Sequence, residues 1–319
     1  MISTLDDRVP PLRRRRTRLI AGALGVCALL GPQPASAEQA TPAAGATDSS
    51  SAQRQVCERA GFRLVIDVGH TRQHYGAISA HGITEYDFNL KLGRVITQAL
   101  KDAGFAKATL LVTEGPAKQS LFDRVRRAAN LHAQLYLSIH HDSVPDPLIS
   151  KWQEDGRVLP FCDRFTGHSI FISNDNPDRS GSLLFARLLG LRMKAHGLAY
   201  TPHYIEKFMG SRQRIRVDAE AGVYRYDQLI VLRKTSMPAV LLEAGMIVNR
   251  TDAWKLAEPE RQAVIASAAV EAVDAFCAQR GHRPPLVAQA PAERRAHRAA
   301  KKPVRTVALK REPARKKKR

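Results

Sequence analysis

The run Arg63-Leu64-Val65-Ile66-Asp67-Val68, ending on Gly69-His70, constrains this chain more than any other stretch. It is short, apolar and β-branched, which predicts a buried strand with His70 at its C-terminal tip. Gln134 to Ile139 is a second such run and ends on His140; Ala239 to Leu242 is a third and ends on Glu243. Strands that read as continuous apolar runs belong to parallel sheets buried on both faces. In such sheets the loops over the C-terminal strand edge form the ligand crevice. Three strands therefore carry two imidazoles and a carboxylate toward one edge.

Helical patterns alternate with these runs. Phe88, Leu92, Val95, Ile96 and Leu100 recur at helical intervals between Tyr86 and Ala103, and Gly104 stops the pattern. Glu85 stands at the start of that helix. Ala108–Thr113 reads as a second strand, and Ser120 with Asp123 as a capping box opening a helix to about His132. Val144–Thr166 has no clean period and reads as a long loop, a candidate gate over the crevice. His168–Ser173 reads as a strand, Leu183–Ala195 as a helix, and Thr201–Tyr226 as an irregular Arg-rich surface excursion. Leu229–Arg233 reads as a strand before the one ending at Glu243. Thr251-Asp252 caps a last helical region to Phe276, interrupted at Pro259. The expected fold class is α/β: a single domain with an open, mostly parallel twisted sheet, helices on both faces and a disordered basic tail.

Charge separates the tails from the domain. The formal net charge is +20. Residues 281–319 hold 14 Lys/Arg against 2 acids, residues 1–37 hold 6 Arg against 2 Asp, and 38–280 keep only +4. Arg13–Arg16 and Arg18 followed by the apolar Leu19–Leu30 and then Ala35-Ser36-Ala37 form an export-signal pattern, with Glu38 as the expected mature start. Residues 38–56 read as an Ala/Thr/Ser/Gly linker, 57–280 as the domain and 281–319 as a solvated Lys/Arg tail. That composition suggests an electrostatic tether to an anionic wall or membrane surface and not a nucleic-acid partner. An exported chain permits disulfides, and Cys57 and Cys277 flank the domain, so they are the candidate pair and Cys162 is left over.

The candidate site follows from donor chemistry. Two histidines and one carboxylate can hold a tetrahedral Zn2+ and leave one position for water. His70, His140 and Glu85 can supply those donors. A further carboxylate must then move the proton, and Glu243 at the end of an apolar strand fits that task. His141 points to the other strand face. His74 and His81 read as solvated loop residues, with substrate contact as the alternative, Arg124–Arg127 as a partly solvated helix face, and Asn89 as either a group orienting a metal ligand or simple helix-face polarity.

Five ordered blocks, IDVGH, GAISAHGITEYDFNL, SLFDRVRRAAN, LYLSIHHD and PAVLLEAGMIVN, resemble those of zinc-dependent N-acetylmuramoyl-L-alanine amidases of the amidase 3 family, cell-wall hydrolases. The resemblance covers roughly Arg63 to Asn249. It implies zinc held by His70, Glu85 and His140, with Glu243 as the catalytic carboxylate. It also implies peptidoglycan as substrate, cut at the amide between N-acetylmuramic acid and L-alanine, and leaves a protein activator as a candidate partner. Thr71-Arg72 follow His70 where the family often has a second glycine, so the backbone there is expected to differ. Two other readings remain at this stage: a zinc peptidase cutting within the stem peptide, and a wall-binding protein with a dead site.

Overall fold

The computed structural model describes residues 57–280. The expected export signal at 1–37, the expected linker at 38–56 and the basic tail at 281–319 lie outside the described residues. β1 (Leu64–Val68), α1 (Glu85–Asp102), β2 (Ala108–Leu111), α2 (Ala117–Asn130) and β3 (Leu135–Asp142) come first in the chain. β4 (Ser150–Glu154), β5 (Arg157–Phe161), β6 (Ser169–Ile172) and α3 (Arg179–Ala195) follow. β7 (Ile215–Asp218), β8 (Val223–Arg225), α4 (Ile230–Lys234), β9 (Ala239–Met246), α5 (Arg250–Ala257) and α6 (Pro259–Arg280) complete the domain.

The seven-stranded sheet has the order β2-β1-β3-β9-β6-β8-β7. β1, β2, β3 and β9 pair in parallel, as do β6 and β8, while β6 runs antiparallel to β9 and β7 to β8. Alternate side chains enter opposite cores. Leu64, Ile66, Leu137, Ile139, Val240 and Leu242 pack with residues of α1, α3 and α6. Val65, Tyr136, Phe171, Ala239 and Leu241 pack on the other side with Ala128 of α2 and Val231 and Leu232 of α4. Helices on both faces explain why the strands carry no polar alternation. The expected α/β class is what the chain adopts.

α1 shows how local sequence sets an element. The Thr84 hydroxyl accepts the Asp87 N–H, and Glu85 and Asp87 place negative charge at the positive end of the helix. Beyond Ala103, Gly104 adopts φ +93°. There the Gly104 N–H reaches Lys101 O and the Phe105 N–H reaches Leu100 O, both at 2.9 Å. This glycine-closed end satisfies the last carbonyls and turns the chain into β2. Cys57, ahead of β1, and Cys277 on α6 form a disulfide with Cα atoms 5.1 Å apart, and Cys162 is free and buried.

Four local expectations are corrected. Val144–Thr166 is not a loop but contains the β4–β5 hairpin, closed by Asp155-Gly156 with both residues at positive φ, a two-residue turn matched to strand twist. α2 starts at Ala117 behind Pro116; Ser120 lies inside it, its hydroxyl donating to Ala117 O. Thr201–Tyr226 supplies β7 and β8, and Tyr204 and Tyr224 are buried around Phe171. Leu229–Arg233 is mostly the short helix α4, because β9 already fills the sheet position between β3 and β6. The Asn176 side-chain amide donates to Leu232 O and Met237 O, at 2.6 and 3.1 Å, and satisfies the carbonyls of that non-ladder segment.

His168 lies just ahead of β6, buried, and neither ring nitrogen has a hydrogen-bond partner among the described residues. Burial pushes its pKa down to about 4 from an ordinary 6.5. The unfolded chain therefore takes up a proton near pH 6.5 that the folded chain refuses until about pH 4. The stability from neutral His168 is complete above pH 6.5 and is lost as pH falls through that window. Asp142 is pushed up to about 7 by burial and acts in the opposite sense, so the His168 effect is read as a difference. His168→Leu is expected to flatten the pH dependence of urea stability between pH 6.5 and 4 by up to about 1.4 kcal/mol per pH unit relative to the parent. Identical slopes for the two proteins would contradict this.

Candidate metal centre

The three predicted ligand residues converge at the C-terminal edge of β1 and β3. His70 follows the end of β1 by two residues, Glu85 is the first residue of α1, and His140 lies near the end of β3. One donor atom from each of the three lies within 4.8 Å of the others. Glu85 Oε1 is 2.9 Å from both His70 Nε2 and His140 Nδ1, and the two rings are 4.9 Å apart between centroids. The Glu85 carboxylate is buried, whereas the His70 and His140 side chains stay 31% and 15% exposed. The cluster thus closes toward the core and opens toward solvent.

Backbone geometry makes room for it. His70 adopts φ +67°, a left-handed conformation uncommon outside glycine and found at functional sites. A Cβ on Gly69 would collide with the His140 ring, and one on Gly76 with Glu85 Oε2 and the His70 ring. Thr71, in the stretch after His70 where the resemblance suggested a glycine, is buried; its hydroxyl donates to Gly115 O at 3.0 Å and accepts the His74 N–H at 3.1 Å. That threonine ties the loop after β1 to the segment after β2.

Supporting polar groups fix the donors. The Asn89 amide donates to Gly69 O at 3.3 Å and to Glu85 Oε1 at 3.4 Å, and its oxygen lies 2.8 Å from His141 Nδ1. Asn89 is fully buried, so it orients a ligand and is not surface polarity. His141 faces α1 as strand alternation requires, against Phe88, and burial lowers its pKa to about 3. It stays outside the donor set.

The electrostatics suit a cation. Burial penalises the Glu85 carboxylate, yet hydrogen bonds from His140 and His70 more than offset it and hold Glu85 well below the usual range. Burial lowers the pKa of His140, with Glu85 opposing, which keeps the ring neutral as coordination requires. Glu243 stands directly across the β3–β9 ladder from His140. Burial, then the charges of Asp142 and Glu85, push its pKa well above the ordinary range, and Oε2 has no partner among the described residues. A buried, unpartnered carboxyl oxygen beside a donor cluster is a group awaiting a proton, a cation or a substrate. Two imidazoles, one ionised carboxylate and one adjacent carboxyl therefore fit a divalent ion with an open side.

Some site residues were not legible beforehand. Arg124, expected on a partly solvated helix face, is 1% exposed at its side chain. Its Nη1 lies 3.6 Å from Asp67 Oδ2 and its Nη2 donates to the His70 carbonyl. Asp67 also accepts from Ser138 Oγ at 2.7 Å. The signal was the stripe Ser120, Arg124, Ala128, one residue per helical turn and all buried. Asp142 accepts from the Tyr204 hydroxyl at 2.8 Å and lies 3.5 Å from Arg212 Nη2; no local pattern announces those long-range partners. His81, expected in solvent, is held instead, with Nδ1 2.7 Å from Glu154 Oε1 and Nε2 2.8 Å from Arg250 O.

Arg124→Met removes one partner of a buried pair and leaves Asp67 in the interior without its guanidinium. The expected cost is about 3–5 kcal/mol, read by urea unfolding of the chelated protein. Arg126→Ala, at the exposed pair with Asp123, is expected to change stability by less than about 0.5 kcal/mol. Equal costs for the two variants would contradict the placement of Arg124.

Residues 64–275 match the family model Amidase_3, N-acetylmuramoyl-L-alanine amidase. The chain belongs to this amidase family. Among curated proteins the amidase is similar to the uncharacterized protein YqiI of Bacillus subtilis, 26% identical over 218 residues that make up 68% of this chain and 85% of YqiI. It is also similar to the N-acetylmuramoyl-L-alanine amidase LytC of Bacillus subtilis, 26% identical over 214 residues, 67% of this chain but only 34% of LytC. Among solved structures, the N-acetylmuramyl-L-alanine amidase Ami1 of Mycobacterium smegmatis superposes with a TM-score of 0.52 at 18% identity, over 69% of this chain and 98% of Ami1. That likeness shares the fold. Family membership makes the chain a cell-wall amidase.

Proposed function

We propose that this amidase is a zinc hydrolase that cuts the amide between the lactyl group of N-acetylmuramic acid and the L-alanine of the peptidoglycan stem. The observation that carries the reading is the convergence of His70, Glu85 and His140 beside the buried Glu243. Zinc at those three residues would supply Lewis acidity and lower the pKa of a water. The protein's own part is positional and protic. Asn89, Arg124 and the glycines at 69 and 76 hold the donors in register. Glu243 would accept the proton of the attacking water and deliver it to the alanine nitrogen as the C–N bond breaks.

The domain is proposed to span 57–280, which contains the family match, and to act outside the cytoplasm after removal of residues 1–37. The Cys57–Cys277 disulfide supports an oxidising compartment. Residues 281–319 are proposed to tether the enzyme to anionic wall or membrane polymer.

The test is mass spectrometry of purified sacculi digested with the zinc-loaded protein. Stem peptides with a free L-alanine amino terminus and glycan strands bearing unsubstituted lactyl carboxylates are expected. Fragments with L-alanine still on the muramic acid would replace this reading with cleavage inside the stem, and intact sacculi would remove both.

A further inference from the structure

A second recognition feature lies where the β4–β5 hairpin meets α5. A cavity of about 170 Å3 is lined by Trp254, Ile83, His81, Glu154, Asp155 and Arg157, with Phe88 of α1 also on its wall. Trp254 is 60% exposed and Ile83 is 41% exposed, although burial of a tryptophan is worth several kcal/mol and most are largely covered. The surrounding wall is tied by hydrogen bonds and aromatic contacts. Trp152 Nε1 donates to Ala80 O at 2.9 Å, His81 lies between Glu154 and the Arg250 carbonyl, and the Arg250 guanidinium sits 4.2 Å from the Phe161 ring centre. The His81 ring supports Trp254 at 4.6 Å between centroids. An exposed indole on a fixed base, beside two carboxylates and a guanidinium, is a prepared surface.

We infer that this cavity is a saccharide subsite, in which Trp254 stacks on one N-acetylated pyranose ring of the glycan strand and Glu154, Asp155 and Arg157 hydrogen-bond its rim. The C–H face of a pyranose is apolar and weakly positive and matches the negative face of an indole. Its equatorial hydroxyl and amide groups point outward, where carboxylates accept and a guanidinium donates in pairs. The size agrees: the cavity is smaller than the roughly 300–1,000 Å3 of complete small-molecule pockets, so it suits one ring of a polymer. It is linked to the candidate centre through α1: Ile83 stands two residues before Glu85, and Phe88 three residues after it. A strand whose muramic acid reaches the centre would carry a neighbouring sugar to the hairpin.

The inference rests on the peptidoglycan reading, and its test separates the two. Binding of N-acetylglucosamine hexamer is measured by calorimetry, and turnover is measured on sacculi and on soluble muramyl dipeptide. The zinc-loaded parent is expected to bind the hexamer. Trp254→Ala is expected to weaken that binding by about tenfold and to raise KM on sacculi by a similar factor, with muramyl dipeptide turnover unchanged. Trp254→Phe is expected to restore part of the affinity, which a merely structural role would not require. Unaltered hexamer binding and sacculus KM in Trp254→Ala would overturn the inference, as would a parent that binds free stem peptide there but no hexamer. Failure of the parent on muramyl dipeptide, with hexamer binding intact and Trp254-dependent, would count against the proposed bond cleavage while upholding the subsite.

Discussion

Glu243→Gln is expected to lower turnover of sacculi by about 10²- to 10⁴-fold while the protein keeps its bound metal and its fold. Glutamine has the shape of glutamic acid but can neither accept the proton of water nor return it to the leaving amine. The structure predicts no penalty in stability. Burial, Asp142 and Glu85 already disfavour the charged form of Glu243, so a neutral amide of the same shape adds no electrostatic cost at that position. Zinc content by elemental analysis and urea unfolding should match the parent. A variant that hydrolyses sacculi at the parental rate would take Glu243 out of the mechanism, and one that loses its zinc would make Glu243 a ligand instead.

His70→Ala is expected to abolish both zinc retention and activity. The remaining pair, Glu85 and His140, are 2.9 Å apart, but a two-donor site cannot close the tetrahedral arrangement that a zinc hydrolase needs. The fold should tolerate the change. The His70 side chain is 31% exposed, and alanine relieves none of the supporting contacts made through the His70 carbonyl to Arg124. The expected signature is thus a folded protein without bound zinc after dialysis and with sacculus turnover at background. Stoichiometric zinc in this variant would contradict the proposed donor set.

The sheet and the candidate site were legible for the same reason. Strands buried on both faces show as apolar runs, and the polar residue that interrupts or follows each run, His70, His140 or Glu243, marks the site edge, although β3 and β9 run on to Asp142 and Met246. Glu85 was legible because it stands at the start of the helical pattern after the first strand, inside a block that resembles the amidase family. What failed was local and had local causes. Leu229–Arg233 has the composition of a strand, and its four apolar residues before Arg233 cannot be told from a helical turn by periodicity; the neighbouring strands decide it. In Val144–Thr166 the Asp155-Gly156 turn signal was present, but the flanking strands are amphipathic and lie outside the main sheet. Arg124 was misplaced because a guanidinium reads as solvent-facing unless its partner is known, and Asp67 is 57 positions away. Tyr204 and Arg212 reach Asp142 across more than sixty residues, a pairing that only the folded chain reveals.

A zinc titration of the chelated protein tests the central claim most directly, with sacculus hydrolysis followed at each addition. The proposed centre predicts no turnover in chelator and full recovery at one zinc per chain. Full turnover of demonstrably zinc-free protein would contradict it.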